Sequence, residues 1–212
     1  MSAPTTIYLL RHGATALNRL VPYRLQGRAT DLPLDPEGVE QARCAAVALE
    51  RVPLAAVYCS PLLRALETAR IVASPHGREP VAVDALTEAD IGRWEGQTWE
   101  DIEESEPERF RQFHARPGTV PYPDGESFLD VQRRVTPAFQ RIAADHAGAH
   151  VAVVGHNVVN RAYVAGVLGL SINRARAIRQ ANCGINVLHF RRGKVELMTL
   201  NACFHLAPAG PA

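Results

Sequence analysis

The stretch YLLRHGAT, Tyr8–Thr15, sets an arginine, a histidine and a glycine directly behind an apolar run. Ile7–Leu10 reads as a short buried strand. Arg11 and His12 then stand at the carboxyl end of a strand, where open α/β sheets place their ligand crevices. A fixed cation beside a titratable nitrogen suits an anion, phosphate above all. Gly13 lets the backbone take unusual angles or approach a ligand closely. An ordinary strand exit with exposed polar residues fits these eight residues equally well. Three more positions share the pattern. Arg64 falls in the first turn of a helix behind LAAVYCS, Glu88 follows VAVDAL, and His156 follows VAVVG. If the strands are parallel, their carboxyl ends share one edge and these distant residues converge on one crevice.

The elements that must position them can be read from periodicity. After the strand near 6–10 comes a polar loop, NRLVPYRLQGRATDLPLDPEG, then a helix from about Glu37 to Arg51 with Ala42, Ala45, Ala46 and Leu49 inward. Asp35-Pro36 is its start signal. LAAVYCS is a second buried strand. SPLLRALETARIVA opens on Ser-Pro and reads as a helix with the stripe Leu62, Ala65, Leu66, Ala69 and Val72. VAVDAL is a short strand. Residues 87–127 are acidic, hold Trp94 and Trp99, and contain Pro107, Pro117, Pro121 and Pro123. They read as short helices and loops capping one end of the sheet within a single domain spanning 1–212. DIEESEPE there reads as a solvated helix face. A long helix from about Ser127 to His146, the strand HVAVVGHN and the helix VVNRAYVAGVLGL follow. GINVLHFRRGKVELMTLN closes as a hairpin turning at Arg192-Gly193. Strands alternating with helices predict an α/β fold, a three-layer α/β/α sandwich around a mostly parallel sheet.

Bulk composition narrows the classes. The 212 residues are 47% hydrophobic, enough for a sizeable core. Lys+Arg number 23 and Asp+Glu 22, for a net charge of +1, which argues against a nucleic-acid or membrane-surface binder. Any anion site must come from local arrangement. Cys44, Cys59, Cys183 and Cys203 form no CxxC pair and have no zinc-like spacing with histidine. They read as buried small hydrophobes of a reducing compartment. MSAPTT shows no signal-peptide pattern, and no apolar run approaches the roughly 20 residues of a membrane span. The expectation is a cytoplasmic protein without metal or cofactor, its oligomeric state open, a homodimer included. His76, His114, His146, His150, His189 and His205 are scattered rather than clustered.

The motifs together resemble the histidine phosphatase superfamily, its phosphoglycerate mutase-like branch. LLRHGAT followed by N, QG, D and PL resembles the family's phosphate-binding entry. CSPLLRALETA resembles its second arginine motif, LTEADIGRWEGQT its acid loop, PDGES the segment before its long helix, and VVGHN its second histidine. The matches run from about residue 7 to 160, and the terminal hairpin is compatible.

The resemblance implies roles. His12 would attack phosphorus and carry the phosphoryl group, which divides one displacement into two easier ones. Arg11 and Arg64 would hold phosphate oxygens through planar, permanently charged forks. Around Arg64, first-turn N–H groups would also point at the anion. His156 would be a second phosphate ligand. Glu88 would protonate the leaving oxygen and then activate water. Its competitors are Asp84, Asp90 and Glu95. Asn18 resembles a phosphate contact, with Gln26 and Gly27 on the same wall. Asn157 stands where the commoner pattern has glycine. Its backbone amide would serve as in the family, and its side chain would narrow or polarise the pocket. The stretch from Asn18 to Gln26 is longer than in most relatives, so RLVPYR forms an extra loop near the mouth. Tyr23 and Arg24 there either touch substrate or are exposed. Trp94, Trp99, Phe110 and Phe113 either face a substrate or pack beneath a lid.

The implied activity is hydrolysis of a small phosphorylated metabolite through phosphohistidine, with arginines doing the work a metal does elsewhere. Family substrates include α-ribazole phosphate, sugar phosphates, phosphoglycerate derivatives and phosphoserine. The alternatives are a mutase that returns the phosphoryl group to substrate, and a non-catalytic phosphate-binding module. The chain length leaves little room for a mutase's extra enclosing loops. The presence of His12, Glu88 and both arginines argues against a non-catalytic module.

Overall fold

The computed structural model describes residues 3–206. Its first strand, β1 (Thr5–Arg11), is buried on both faces. Successive side chains of a strand point to opposite faces, and here each face has its own core. Ile7 and Leu9 join one apolar cluster, while Leu10 joins the other.

A short helix, α1 (Ala16–Arg19), and the longer α2 (Pro36–Leu49) follow. The predicted start of α2 is observed: Asp35 Oδ1 accepts the Gly38 N–H at 2.7 Å, with Pro36 in the first turn. β2 (Leu54–Cys59) leads into α3 (Leu63–Ala73). This helix begins later than Ser60-Pro61 predicts. Ser60 Oγ accepts the Leu62 N–H at 3.2 Å, and the Leu63 N–H donates to Asp31 Oδ1 at 2.7 Å. The cap comes from a distant loop, which local sequence cannot reveal.

The VAVDAL strand shrinks to β3 (Val81–Ala82), followed by a single 3-10 turn at Asp84–Leu86. As the outermost strand it pairs only through Tyr58–Val81 and Cys59–Ala82. Segment 87–127 carries α4 (Trp99–Ser105) and α5 (Pro107–Ala115). Trp94 and Phe113 are fully buried and meet edge-to-face with centroids 5.3 Å apart. With Tyr122 they belong to the same apolar cluster as the two helices that follow. So the aromatics pack inward, and the Trp94 Nε1–H donates to Glu106 at 3.0 Å. Of the acidic run, Asp101, Glu103, Glu104 and Glu108 are exposed as expected, whereas Glu106 is held by Arg93 and Trp94.

α6 (Phe128–Asp145) starts at a capping box between Ser127 and Asp130. β4 (His150–Gly155), α7 (Asn157–Val167), β5 (Ile185–Arg191) and β6 (Lys194–Ala202) complete the chain. Arg192 and Gly193 turn the hairpin with φ of 51° and 75°, both left-handed as a two-residue hairpin turn prefers.

The strand order is β3-β2-β4-β1-β5-β6. The first four strands in that order run parallel, and β5 and β6 are antiparallel additions. Helices α2 and α3 cover the face carrying Leu10, Val57, Ala152 and Val154. Helices α6 and α7 cover the face carrying Ile7, Leu9, Val151 and Val153. The expected three-layer sandwich is therefore observed. The chain leaves β1 toward one face and adjacent β4 toward the other. A crevice must open between their carboxyl ends, at the topological switch point. No helix among the described residues is long and apolar enough to cross a membrane.

Candidate active site

Strand register builds the site. Arg11 pairs with Gly155 across β1 and β4, so the next residue of each strand is a histidine facing the same crevice. The His12 and His156 ring centroids lie 5.1 Å apart.

His12 is 3% exposed. Its Nδ1 lies 2.7 Å from the Gly13 carbonyl oxygen. A carbonyl only accepts, so Nδ1 carries the proton and the neutral ring keeps its lone pair on Nε2. Burial first, then the charges of Arg11 and Arg64, hold the His12 pKa well below the ordinary histidine value, against a smaller opposing contribution from Gly13. The neutral ring is the form a nucleophile needs.

His156 is fully buried, and neither ring nitrogen has a hydrogen-bond partner among the described residues. Burial, Arg64, His12 and Arg11 all push its pKa well down. The Arg11 Nη1–H donates to the Gln180 carbonyl at 2.9 Å. Arg64, fully buried, donates from Nη1 to Thr30 O at 2.8 Å and from Nη2 to Gly27 O at 2.9 Å. The Nε of each arginine is buried without a partner. Burial lowers the Arg11 pKa to about 10, with Glu88 opposing, so it stays charged at neutral pH. Neither guanidinium has a carboxylate within salt-bridge distance among the described residues. Two fixed cations and unpartnered ring nitrogens facing one crevice are complementary to an anion.

Glu88 is 3% exposed and caps α7. Its Oε2 accepts the Val158 N–H at 3.1 Å, and its Oε1 accepts the Ala89 and Val159 N–H groups at 2.9 and 3.3 Å. Its competitors are engaged elsewhere. Asp90 pairs with Arg28 at 2.7 Å. Glu95 accepts the Gly27 and Thr30 N–H groups at 2.7 and 3.1 Å. Asp84 opens the short turn after β3. At the opposite end of the sheet a groove of about 850 Å³, lined by residues such as Thr5, Tyr163 and Phe190, holds no histidine or carboxylate.

The model of the histidine phosphatase superfamily, branch 1, matches residues 7–203. The chain belongs to that superfamily. This superfamily member is 31% identical over 200 residues to phosphoserine phosphatase 1 of Hydrogenobacter thermophilus, covering 94% of this chain and 93% of that one. It is 34% identical over 214 residues to the metal-independent phosphoserine phosphatase of Arabidopsis thaliana, covering 99% and 86%. Among solved structures, Bacillus stearothermophilus YhfR aligns with a TM-score of 0.88 at 32% identity, covering 95% of this chain and 99% of that one.

In this histidine phosphatase the remaining predicted residues divide in two. Asn18 Oδ1 accepts from Thr15 N at 3.1 Å, which leaves its amide N–H₂ to face a ligand. Asn157 is the first residue of α7, and its buried Oδ1 has no partner among the described residues. Gln26 and Gly27 stand behind the site. Gln26 Oε1 accepts from Thr15 Oγ1 at 2.9 Å, and the Gly27 carbonyl steers Arg64. A Cβ on Gly27 would meet Ile91 Cγ1 at 2.6 Å and Ala89 O at 2.8 Å. The first N–H of α3, that of Leu63, is taken by Asp31 and is not one that points at the anion. At Gly13 the fold itself excludes a side chain: a Cβ on it would run into the Gly38 carbonyl of α2. The Tyr23 hydroxyl accepts from Trp99 Nε1 at 2.7 Å, and Arg24 donates to Gly96 O at 2.8 Å, so the RLVPYR loop closes onto α4.

Sequence reasoning missed the braces. Thr68, one turn after Arg64, accepts the Gly13 N–H at 3.0 Å and donates to Arg64 O at 2.7 Å. Asn182 donates to the His12 carbonyl at 2.9 Å. Arg134 donates to the Glu88 carbonyl at 3.2 Å and pairs with Glu126 at 2.7 Å. The one available signal was Thr68 lying four residues from Arg64, which puts both on one helix face.

Proposed function

We propose that the protein is a metal-independent phosphatase of small phosphate monoesters that works through a phosphohistidine on His12. The observation that carries this reading is the His12 Nδ1–H bond to the Gly13 carbonyl, which leaves a neutral Nε2 beside two guanidiniums. Nε2 attacks phosphorus in line with the ester oxygen. The N–P bond forms as the P–O bond breaks. Arg11, Arg64, His156 and the Asn157 amide take the non-bridging oxygens, whose charge they stabilise without reorganising. Glu88 gives its proton to the departing alkoxide, then takes one from the water that attacks phosphohistidine, which regenerates His12. Segment 87–127 caps the crevice, beginning at Glu88 and returning at Tyr122. The free thiols of Cys44, Cys59, Cys183 and Cys203 support a reducing, cytoplasmic setting.

The test is hydrolysis of a panel of small phosphomonoesters in chelator, by the intact protein and by His12→Ala. The expected result is turnover without metal, lost by a factor of about 10³ or more in the variant. A base-stable, acid-labile phosphoryl group should be trapped on the parent alone. Turnover surviving His12→Ala would mean that another group attacks.

A further inference from the structure

Beside the phosphate site lies a second pair of cations that the mechanism does not use. Arg161 follows Asn157 and Val158 on α7 by four and three positions, so it continues the face that opens on His156. Its Nε–H donates to the Ile178 carbonyl at 2.7 Å, two residues before the Gln180 that holds Arg11. One edge of its fork is thus fixed, and the two Nη groups of the other edge have no hydrogen-bond partner among the described residues. Arg176 sits over the cap's aromatics. Its guanidinium carbon sits 5.0 Å over the Trp99 ring and 5.8 Å from the centre of Phe113. Nor does it donate a hydrogen bond among the described residues. Tyr122, 5% exposed, brings a hydroxyl that is likewise unpartnered there.

Contrast marks this pair out. Arg28, Arg93 and Arg134 each hold a carboxylate at 2.7 Å. Arg161 and Arg176, both partly buried, have none within 4.0 Å among the described residues. Arg176 and Tyr122 meet at Phe113, whose ring centroid lies 4.5 Å from that of Tyr122, and burial with the Arg176 charge lowers the Arg161 pKa while Tyr122, Tyr23 and Glu88 oppose. Arg161 in turn acts on Arg11, which ties the pair to the phosphate end of the crevice. Two like charges with no carboxylate within 4.0 Å are unfavourable until an anion bridges them.

We propose that Arg161 and Arg176, with the Tyr122 hydroxyl, form a carboxylate subsite that selects phosphomonoesters bearing a carboxylate a few bonds from the phosphate. The inference rests on the phosphatase reading for its substrate class. A carboxylate is the fitting anion because a guanidinium with one free edge presents two parallel donors, which match two carboxylate oxygens. The phosphoserine named for two relatives has this form. The cation–π seat of Arg176 keeps it in place before substrate arrives, so little side-chain entropy is lost on binding.

The test compares phosphoserine with phosphoethanolamine, which differ only in the carboxylate. Calorimetric binding to the full chain carrying His12→Ala is measured together with kcat/KM of the parent. Phosphoserine should be favoured about tenfold or more. The ratio should fall toward one in Arg176→Met and in Arg161→Gln, and Arg176→Lys should restore part of it. Arg176→Met removes no hydrogen bond among the described residues, and its folding is checked by thermal unfolding. Equal binding of the two esters by the unmodified subsite, or a ratio unchanged in both variants, overturns the proposal. So does preference for a bisphosphate without a carboxylate. Selective binding without turnover of any ester would instead sink the phosphatase reading and leave the subsite standing.

Discussion

At the scale of single residues, the site works because its cations are held by backbone rather than by acids. A carboxylate partner would neutralise a guanidinium before any phosphate arrived. Thr30 and Gly27 hold Arg64 through carbonyl oxygens, which fix its plane and leave its charge intact. Lysine offers a point charge without the fork and cannot reach both carbonyls while serving an anion. Arg64→Lys should therefore cut kcat/KM by about 10²-fold, the scale of losing one preorganised oxyanion donor. Steady-state kinetics on one ester will measure it. A loss of less than about threefold would show that Arg64 is a structural cation only. This site was legible in outline because each main group sits at a strand end or helix start, where a local motif marks it. The braces were not. Asn182 and Arg134 act through backbone groups far away in the chain, and nothing in their own neighbourhoods announces it, while Thr68 had only its place one turn after Arg64 to mark it.

At the scale of elements, the same distinction recurs. β1, β4 and α6 were readable because burial on two faces or one stripe imposes a period. The start of α3 was not, because Asp31 caps it across the fold. Gly13 shows how a motif residue can be right in position and different in cause. It was expected to clear space for a ligand, yet the group that crowds it is the Gly38 carbonyl at the first turn of α2. The glycine is there so that two elements on one face can close behind His12. Gly13→Ala must push α2 away or move the His12 loop, and both disturb the Nδ1 bond to Gly13 O. The expected cost is about 1–3 kcal/mol of stability, as for other overpacked positions. Activity should fall with it. Denaturant unfolding of the variant gives the number, and an unchanged midpoint would mean that the contact relaxes freely.

At the scale of the whole molecule, the crevice is costly to the fold in a way that pH can reveal. Burial lowers the pKa of His12, His114, His156 and His205 below the ordinary histidine value, His12 and His156 by far the most. Arginine charges add to the effect at the first three. Above about pH 6.5 these rings are neutral in both folded and unfolded chains and contribute nothing to the difference. Below it the unfolded chain takes up protons that the folded chain refuses, so stability falls as pH falls. The loss continues until the depressed folded values are reached. Carboxylates with lowered pKa, such as Asp130, act in the same direction but only nearer pH 4 and below, so the two contributions separate along the pH axis. The thermal midpoint should thus decline from pH 7.5 to pH 5.5. His156→Asn should flatten that decline, because one ring that refuses protonation is gone. A midpoint that is level across this range would show that the histidines take up protons in the folded state as readily as in the unfolded one, so that His12 would be neutral only above about pH 6.5 and not protected by its burial.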